Sequence, residues 1–310
     1  MKVAIILNGI SLNKARFYRK ILPPLEQFCS PEVFETKSRN DAVQLAEKTV
    51  TRGCDYIFAA GGDGTIHQVV NGMLRDYQPP TKLPVLGIIP LGGGNDFARS
   101  LGVSADPTKM VKALLESQTT NIDVGEVQYY TLKNEDDEPI QKKRFFVNVV
   151  DVGMGPEVVR RVLASGRPLG AAFAYFQSIL ATFITYKPVE LHATGDGWQW
   201  RKPVRTFAVA NGRYYGNGLC IAPDARLDDD EFDVFACGNV SVLDFLLNSI
   251  PMKGGKRIRH PEVSYFKATS VELDGGKSLL IEADGEILGG LPASVRMSNL
   301  RIAILNSGYR

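Results

Sequence analysis

The fold of this chain is decided by the stretch Tyr56-Ile57-Phe58-Ala59-Ala60-Gly61-Gly62-Asp63-Gly64-Thr65. Its apolar first half predicts a buried strand, and the apolar residues at positions 66, 69, 70 and 73 have the spacing of one helix face. A glycine-rich turn between a strand and a helix presents backbone N–H groups at the positive end of the helix dipole, where phosphate commonly binds. Asp63 is unexpected there, because a carboxylate repels phosphate unless a metal ion or a proton transfer requires it. The turn therefore suggests a kinase.

The sequence around this turn alternates between strand and helix patterns. Further strands are predicted at Val3–Leu7, near Val33–Thr36 and at Val85–Ile89, and the Ile10–Phe28 region is a helix candidate. This alternation predicts an α/β domain with a parallel sheet, whose ligands bind at the carboxyl ends of the strands.

Polar or glycine-rich residues follow three of these strands, at Asn8-Gly9, at residues 61–65 and at residues 92–96, so they could line one crevice. In the third loop, Gly92-Gly93-Gly94-Asn95-Asp96, the glycines allow the backbone to approach a phosphate, and Asn95 or Asp96 can cap the next helix. An ordinary strand–helix turn is the alternative. Gly276-Lys277-Ser278 ends like a P-loop but lacks its first glycine, and no dinucleotide-binding glycine motif follows a strand in this domain.

After about Asp123 the pattern changes to short strands with period-two alternation, separated by turn residues. This pattern predicts a β-rich, mostly antiparallel second domain, either a sandwich or an open barrel. The last strand, Leu300–Leu305, could rejoin the first sheet. We therefore expect an α/β domain over residues 1–124 and 297–310, and a β-rich domain over residues 125–296.

Two groups of carboxylates stand out in the second domain. Asp228–Asp230 with Glu231 could bind a hard cation such as Mg²⁺, or could be a solvated acidic turn. Asp284-Gly285-Glu286 follows the strand Leu279–Ala283 and could supply a general base, or could be a plain hairpin turn. Phosphoryl transfer to an alcohol needs an acceptor for the hydroxyl proton and a metal that neutralises phosphate charge.

Together these motifs resemble the diacylglycerol kinase catalytic-domain family, in particular its small bacterial soluble lipid kinases. The resemblance covers essentially the whole chain: the Gly61–Thr65 turn, the Pro90–Ala98 loop, Asn211–Gly218, the Ala222–Asp230 segment and Asp284-Gly285-Glu286 follow in the expected order. It implies a nucleotide-binding first domain akin to NAD kinases and phosphofructokinases, and a second domain that is lipid-binding and catalytic. It also implies ATP in the interdomain cleft and a lipid hydroxyl phosphorylated with the help of Mg²⁺.

The resemblance also implies roles for individual residues. Glu286 would accept the proton, supported by Asp284, with Asp63 as a rival for the base. Asp229, with the backbone carbonyls of Arg226 and Glu231, would hold a structural Mg²⁺. The nucleotide-binding residues would be Asn8, Thr36, Gly61, Gly62, Asp63, Gly64, Thr65, Gly92, Gly93, Gly94, Asn95 and Asp96, with Asp63 and Asp96 organising ATP·Mg²⁺.

Two positions depart from the family pattern. Its first loop usually reads Asn-Pro-x-Ser-Gly, whereas this chain has Asn8-Gly9-Ile10-Ser11-Leu12, and its second loop commonly has Thr where Gly93 stands. The loss of one neutral hydrogen bond costs only about 0.5–1.5 kcal/mol, so ATP binding could survive. These changes concern nucleotide affinity rather than the fold.

Charge and hydropathy limit the partners. A formal net charge of +2 does not indicate nucleic acid. The uncharged segment Leu169–Tyr186 is at the lower limit for spanning a bilayer, and its polar residues favour a buried helix. Basic residues within Lys253–His260, together with Arg160, Arg161 and Arg167, could attract anionic lipid or lie in solvated loops. We expect a cytoplasmic protein that meets its lipid at the membrane surface without a transmembrane span; a homodimer is possible.

Three hypotheses follow for the function. The first is an ATP-dependent lipid kinase whose acceptor is diacylglycerol, phosphatidylglycerol or a sphingoid-type alcohol. The second is a soluble-substrate kinase of the same superfamily, such as an NAD kinase. The third is a non-catalytic nucleotide- or lipid-binding protein, which the altered loop residues would allow.

Overall fold

The computed structural model describes residues 1–38, 40–78, 82–131, 140–165, 171–276 and 278–308. The chain divides into two compact units, Met1–Ile122 with Leu300–Arg310, and Asp123–Asn299. Arg167, Lys277 and the start of the uncharged segment at Leu169 lie outside the described residues.

The strands are β1 (Val3–Leu7), β2 (Glu32–Glu35), β3 (Tyr56–Gly61), β4 (Val85–Pro90), β5 (Thr119–Thr131), β6 (Ile140–Phe146), β7 (Val149–Gly153), β8 (Val189–Gly195), β9 (Trp198–Val204), β10 (Thr206–Ala210), β11 (Tyr214–Tyr215), β12 (Leu219–Cys220), β13 (Phe232–Cys237), β14 (Val263–Ala268), β15 (Ser270–Gly275), β16 (Leu280–Ala283) and β17 (Glu286–Leu305). The helices are α1 (Lys14–Arg16), α2 (Leu22–Glu26), α3 (Asp41–Thr51), α4 (Asp63–Leu74), α5 (Asp96–Ser100), α6 (Pro107–Leu115), α7 (Gly155–Ala164), α8 (Ala171–Thr185) and α9 (Val242–Lys253), and a π-helical turn, Phe17–Ile21, joins α1 to α2.

The first unit contains a parallel sheet. β1 lies between β2 and β3, and β4 lies between β3 and the last residues of β17. The register places Ile5 opposite Phe58 and Leu86 opposite Ile304. β1 is buried along its whole length, as expected for a parallel strand covered on both faces. The carboxyl ends of β1, β3 and β4 therefore lie side by side.

The helix candidate over Ile10–Phe28 is shorter and less regular than the sequence pattern indicates. The helical residues form α1, the π-helical turn and α2 instead of one helix. Pro23 and Pro24 lie in the first turn of α2, where their missing N–H groups interrupt no hydrogen bond that the helix needs. The regular hydrogen-bond ladder cannot continue through them from the preceding residues.

The second unit is β-rich and antiparallel. Its longest run of paired strands has the order β14–β13–β10–β7–β16–β17, and β17 also pairs with β15 and β5, which continue to β8, β9 and β6. Phe207 and Val209 of β10 belong to the core enclosed by these strands. Ala208 and Ala210 face the other way and pack in a second apolar cluster with residues of α7, α8 and α9. The predicted combination of a parallel α/β part and an antiparallel β-rich part is confirmed.

Helix α8 accounts for most of the uncharged segment. Ser178 and Thr182 are buried in it, and their hydroxyls donate to the carbonyls of Ala174 and Ser178 at 2.8 and 2.7 Å. Within the part of the chain that the structure describes, no helix is long and apolar enough to cross a membrane.

Candidate active site

The loops that follow the parallel strands of the first unit are hydrogen-bonded to one another. Asn8, after β1, donates from Nδ2 to Thr65 Oγ1 in the first turn of α4 (3.3 Å). The Gly9 N–H donates to Thr36 Oγ1 after β2 (3.1 Å). The N–H of Leu91 donates to the carbonyl of Gly61 at 2.8 Å, which joins the ends of β3 and β4. Gly61 ends β3, and the other predicted nucleotide-binding residues lie in these loops or in the first turns of the helices that follow them.

Two glycines let the loops after β3 and β4 pack backbone against backbone. A Cβ added to Gly92 would lie 2.5 Å from the Cα of Gly62, a distance that no side chain tolerates. Asn95 closes the second loop: its Oδ1 accepts from the N–H of Gly92 and its Nδ2 donates to the Gly92 carbonyl, both at 2.9 Å. Gly62 is the N-cap of α4, so the helix presents its positive end at the point where the loops meet.

Asp63 and Asp96 lie close together at this point. Asp63 Oδ1 accepts a hydrogen bond from the N–H of Phe97 at 2.9 Å, which ties the turn after β3 to the start of α5. A Cβ at Gly94 would lie 3.4 Å from Asp63 Oδ2 and 3.5 Å from Asp96 Oδ2, so both carboxylates approach the same glycine. Two ionised carboxylates that approach the same residue repel each other, and a cation between them would offset that repulsion. A helix N-terminus beside paired carboxylates suits a phosphate that arrives with a metal ion.

In the second unit, Asp284 fixes the turn between β16 and β17. Its φ of 50° and the φ of 85° at Gly285 are typical of a tight type I′ hairpin turn. Its carboxylate accepts three backbone hydrogen bonds, with Oδ1 bound to Asn148 and Val149 (both 3.0 Å) and Oδ2 to Val147 (3.1 Å). Glu286, at the start of β17, is partly exposed.

Beside the turn lies a buried pair of acids, Asp151 and Glu282, that sequence reasoning missed. They are directly opposite each other on β7 and β16, and both are fully buried. The Tyr215 hydroxyl donates to Asp151 Oδ2 at 3.1 Å, and the N–H of Gly285 donates to Glu282 Oε2 at 2.7 Å. A Cβ at Gly155, the first residue of α7, would lie 1.8 Å from Asp151 Oδ2, so only glycine fits there. The sequence feature that could have revealed this pair is a single acidic residue within each of two otherwise apolar strand patterns.

Burial raises the pKa of both acids. The pKa of Glu282 rises to about 8 because its carboxyl group is removed from water. The pKa of Asp151 lies well above its ordinary value because of burial and the nearby charge of Glu282. Burial beside these acids also raises the pKa of Tyr215, so its hydroxyl remains a donor. At neutral pH the pair therefore keeps at least one proton.

The predicted structural metal site lies in the loop before β13. Asp123 anchors this loop, since its Oδ2 accepts from the N–H of Asp230 at 2.8 Å. Asp229 Oδ1 is buried and accepts no hydrogen bond, while Lys267 binds Glu231 Oε2 at 2.8 Å and approaches Asp229 Oδ2 at 3.5 Å. Among the described residues, no three acidic, histidine or cysteine side chains are arranged to hold a metal. A site here would therefore consist of Asp229 Oδ1 and backbone carbonyls such as those of Arg226 and Glu231, a donor set that fits Mg²⁺.

An apolar cavity lies within the second unit. It has a volume of about 750 Å³, including its opening to solvent. Its walls come from α7, α8, α9 and the sheet, and typical lining residues are Val158, Ile179, Phe183, Phe245 and Met252. Tyr215, whose hydroxyl donates to Asp151, also lines the cavity.

Comparison with known proteins agrees with this architecture. Residues 2–127 match the model of the diacylglycerol kinase catalytic domain, and residues 148–306 match that of the YegS C-terminal NAD kinase beta sandwich-like domain. The diacylglycerol kinase of Bacillus subtilis (strain 168) is 27% identical over 94% of this chain and 92% of its own length. That of Staphylococcus haemolyticus (strain JCSC1435) is 29% identical over 84% of this chain and 74% of its own.

Solved structures show the same fold. The crystal structure of a diacylglycerol kinase from Bacillus anthracis str. Sterne matches with a TM-score of 0.69 and 21% identity, over 100% of this chain and 97% of that chain. The two family models together cover most of the sequence. The chain therefore belongs to the diacylglycerol kinase catalytic-domain family, and it is a lipid kinase.

Proposed function

We propose that this enzyme uses ATP and Mg²⁺ to phosphorylate the free hydroxyl of a long-chain glycerolipid, with diacylglycerol, the substrate in its relatives' names, as the first candidate. The apolar cavity of the second unit carries the proposal. A continuous set of contacts leads from its wall to the candidate base: Tyr215 lines it and donates to Asp151, Glu282 lies opposite Asp151, and Gly285 donates to Glu282. Glu286 is the next residue.

The chemistry of the cavity favours an acyl or alkyl chain. Burial of one methylene group contributes about 0.8 kcal/mol, so even six methylenes supply several kcal/mol of binding free energy. A dinucleotide such as NAD offers mostly polar and charged surface, which this apolar lining cannot satisfy. The cavity therefore supports a lipid acceptor over the alternative of a soluble one.

The first unit supplies the groups for the nucleotide. The N-terminus of α4 and the backbone of the loop at residues 92–96 would bind the phosphates, with Thr36 and Thr65 as polar contacts. Asp63 and Asp96 fit a nucleotide-bound Mg²⁺, because both carboxylates approach Gly94 and carboxylate oxygens are ligands that Mg²⁺ prefers. When bound, that ion neutralises the charge of the transferred phosphoryl group.

In the proposed reaction, Glu286 accepts the proton of the lipid hydroxyl. The lipid oxygen forms a bond to the γ-phosphorus while the bond from that phosphorus to the bridging oxygen breaks, and ADP leaves. Asp284 does not exchange a proton in this scheme; it keeps the turn in place through its three backbone hydrogen bonds. Asp229, with the carbonyls of Arg226 and Glu231, would hold a second Mg²⁺ that stabilises the loop before β13.

The second unit also offers a surface that could contact an anionic membrane. Leu243, Leu247 and Ile250 project from α9 with exposed fractions of 63, 66 and 79%. Lys253, Lys256 and Arg259 follow, and none forms an ion pair with a described residue, whereas Arg257 binds Asp224, and Arg160 and Arg161 bind Glu157. Each unpaired cation near the surface of an anionic bilayer contributes about 1 kcal/mol. We propose peripheral attachment through α9 and the segment that follows it.

The test is transfer of labelled γ-phosphate from ATP to diacylglycerol, phosphatidylglycerol, a sphingoid base or NAD in mixed micelles. We expect Mg²⁺-dependent labelling of a lipid by the wild type and a loss of about 10²–10⁴-fold in kcat in Glu286→Gln. Glu190→Gln, which alters an exposed acid paired with Arg201, is the matched control. Labelling of NAD alone would refute the lipid acceptor, and full activity of Glu286→Gln would refute the assignment of the base.

A further inference from the structure

The buried acids Asp151 and Glu282 take no part in the reaction above, yet Glu282 binds the turn that carries the base. Its Oε2 accepts from the N–H of Gly285 at 2.7 Å, and Gly285 directly precedes Glu286. The pairing register of β16 with β17 shifts between Ile281 and Glu282, which marks a β-bulge. Bulges beside active sites commonly redirect a side chain. Glu282 therefore helps to fix the backbone from which Glu286 projects.

Each of the two acids has one buried carboxyl oxygen without a hydrogen-bond partner. Asp151 Oδ1 and Glu282 Oε1 are both buried, and neither accepts a hydrogen bond. Two ionised carboxylates facing each other across a buried strand pair repel strongly, since little water screens them. A protonated carboxyl has an O–H to donate, which an ionised one does not. The pair is therefore most stable when it holds a proton.

The groups around the pair act in both directions: hydrogen-bond donors favour one charge on the pair, and the acids of the turn oppose a second. Tyr215 of β11 donates to Asp151, as does the N–H of Gly155 at the start of α7. Tyr186, after α8, also lies near Asp151 and is influenced in turn by Arg205. In the turn itself, the two nearest acids are Asp284 and Glu286. Full ionisation of the pair would thus repel the carboxylates of the turn.

We propose that Glu282 is a positioning residue for phosphoryl transfer: paired with Asp151, it holds the Asp284–Glu286 turn by accepting from Gly285, and a second negative charge on the pair displaces that turn by repelling its carboxylates. This inference rests on the proposed role of Glu286. No bond forms or breaks at Glu282, because it acts only through Gly285. Activity should therefore fall in the alkaline range as the pair loses its last proton.

The first test compares Glu282→Ala and Glu282→Gln with the wild type and with Glu190→Gln. The alanine removes the acceptor for Gly285, so we expect kcat to fall about tenfold or more while KM for ATP changes by no more than about twofold. The glutamine can accept from Gly285, can donate to Asp151 and cannot ionise. It should restore most of kcat and abolish the alkaline decline that we expect in the wild type near the Glu282 pKa of about 8. Equal damage in both variants, or the same pH profile in the wild type and Glu282→Gln, would overturn the proposal.

The second test needs no substrate. In glycine-labelled protein, the Gly285 amide resonance of the wild type should shift with pH around about 8 and stay constant in Glu282→Gln. If the Gly285 resonance shifts with pH but no lipid is phosphorylated, the proposed function fails and the inference that the protonation of Glu282 affects the turn remains. If lipid is phosphorylated but the Gly285 resonance does not shift with pH, only the inference about Glu282 fails. Should Glu282→Ala not fold, the pH profile and the Gly285 resonance of Glu282→Gln against the wild type still decide the proposal.

Discussion

Replacement of Glu282 by glutamine should make the second unit more stable at alkaline pH. The folded protein holds the proton of Glu282 up to a pKa of about 8, whereas the unfolded chain loses it near 4.5. Between these values the native state binds more protons, so the free energy of unfolding falls as pH rises. The stability that Glu282 contributes is fully present below pH 4.5 and is lost progressively up to about pH 8.

The size of this loss follows from the two pKa values. A change from 4.5 to about 8 corresponds to about 5 kcal/mol above pH 8, at about 1.4 kcal/mol per pKa unit. Between pH 5.5 and 8 the expected loss is about 3 kcal/mol, which is large beside the 5–15 kcal/mol that stabilises a typical domain. Glutamine has nearly the same shape and does not titrate, so the variant should not show this loss.

Urea unfolding at several pH values and constant ionic strength measures the difference. Trp198 and Trp200, the two tryptophans of the chain, both lie in β9, so their fluorescence reports on the second unit without requiring the whole chain to unfold in one step. The free energy of unfolding of Glu282→Gln minus that of the wild type should rise by about 3 kcal/mol from pH 5.5 to 8. Glu190→Gln should show no such trend. A constant difference, or one that falls with pH, would refute a proton held by the buried pair.

Three further changes have defined outcomes. Asp284→Ala leaves three backbone N–H groups without their acceptor and should destabilise the second unit by about 3 kcal/mol or more, as read by tryptophan fluorescence, with Asp284→Asn intermediate; an unchanged midpoint would contradict this. Mg²⁺ should raise the Tm of the wild type but not of Asp229→Ala, and equal shifts would exclude the proposed metal site. Ile179→Trp should fill part of the cavity and lower kcat/KM about tenfold for long-chain diacylglycerol but little for a short-chain one; equal losses would argue against chain binding.

The nucleotide loops could be predicted because each is local in sequence. A strand, a glycine turn and a helix start follow one another within about ten residues, and the parallel arrangement then brings the carboxyl ends of neighbouring strands together. Asp63 and Asp96 are 33 positions apart, yet each is the first residue of the helix that follows its strand. Their approach around Gly94 follows from that equivalence.

The buried acids could not be predicted, because their meeting depends on strand register. Asp151 and Glu282 come from β7 and β16, and a shift of one residue in that pairing would turn one of them to the opposite face of the sheet. No local pattern specifies such a register between strands so distant in sequence. The cavity is hidden for the same reason, since its walls combine three helices and several strands.

The contacts of the acids also bear on the choice of base, for which Asp63 and Glu286 were rivals. A general base needs an oxygen directed at the proton that it removes. Asp63 Oδ1 already accepts from the N–H of Phe97, and its Oδ2 lies near Asp96 by Gly94, a place suited to a metal ion. A carboxylate beside Mg²⁺ is a poor proton acceptor, because the cation favours its ionised form. Glu286 lies instead next to two buried acids that hold a proton. That proton reduces the negative charge beside Glu286, so no cation is needed there. This difference favours Glu286 as the base and Asp63 as a partner of the nucleotide's metal.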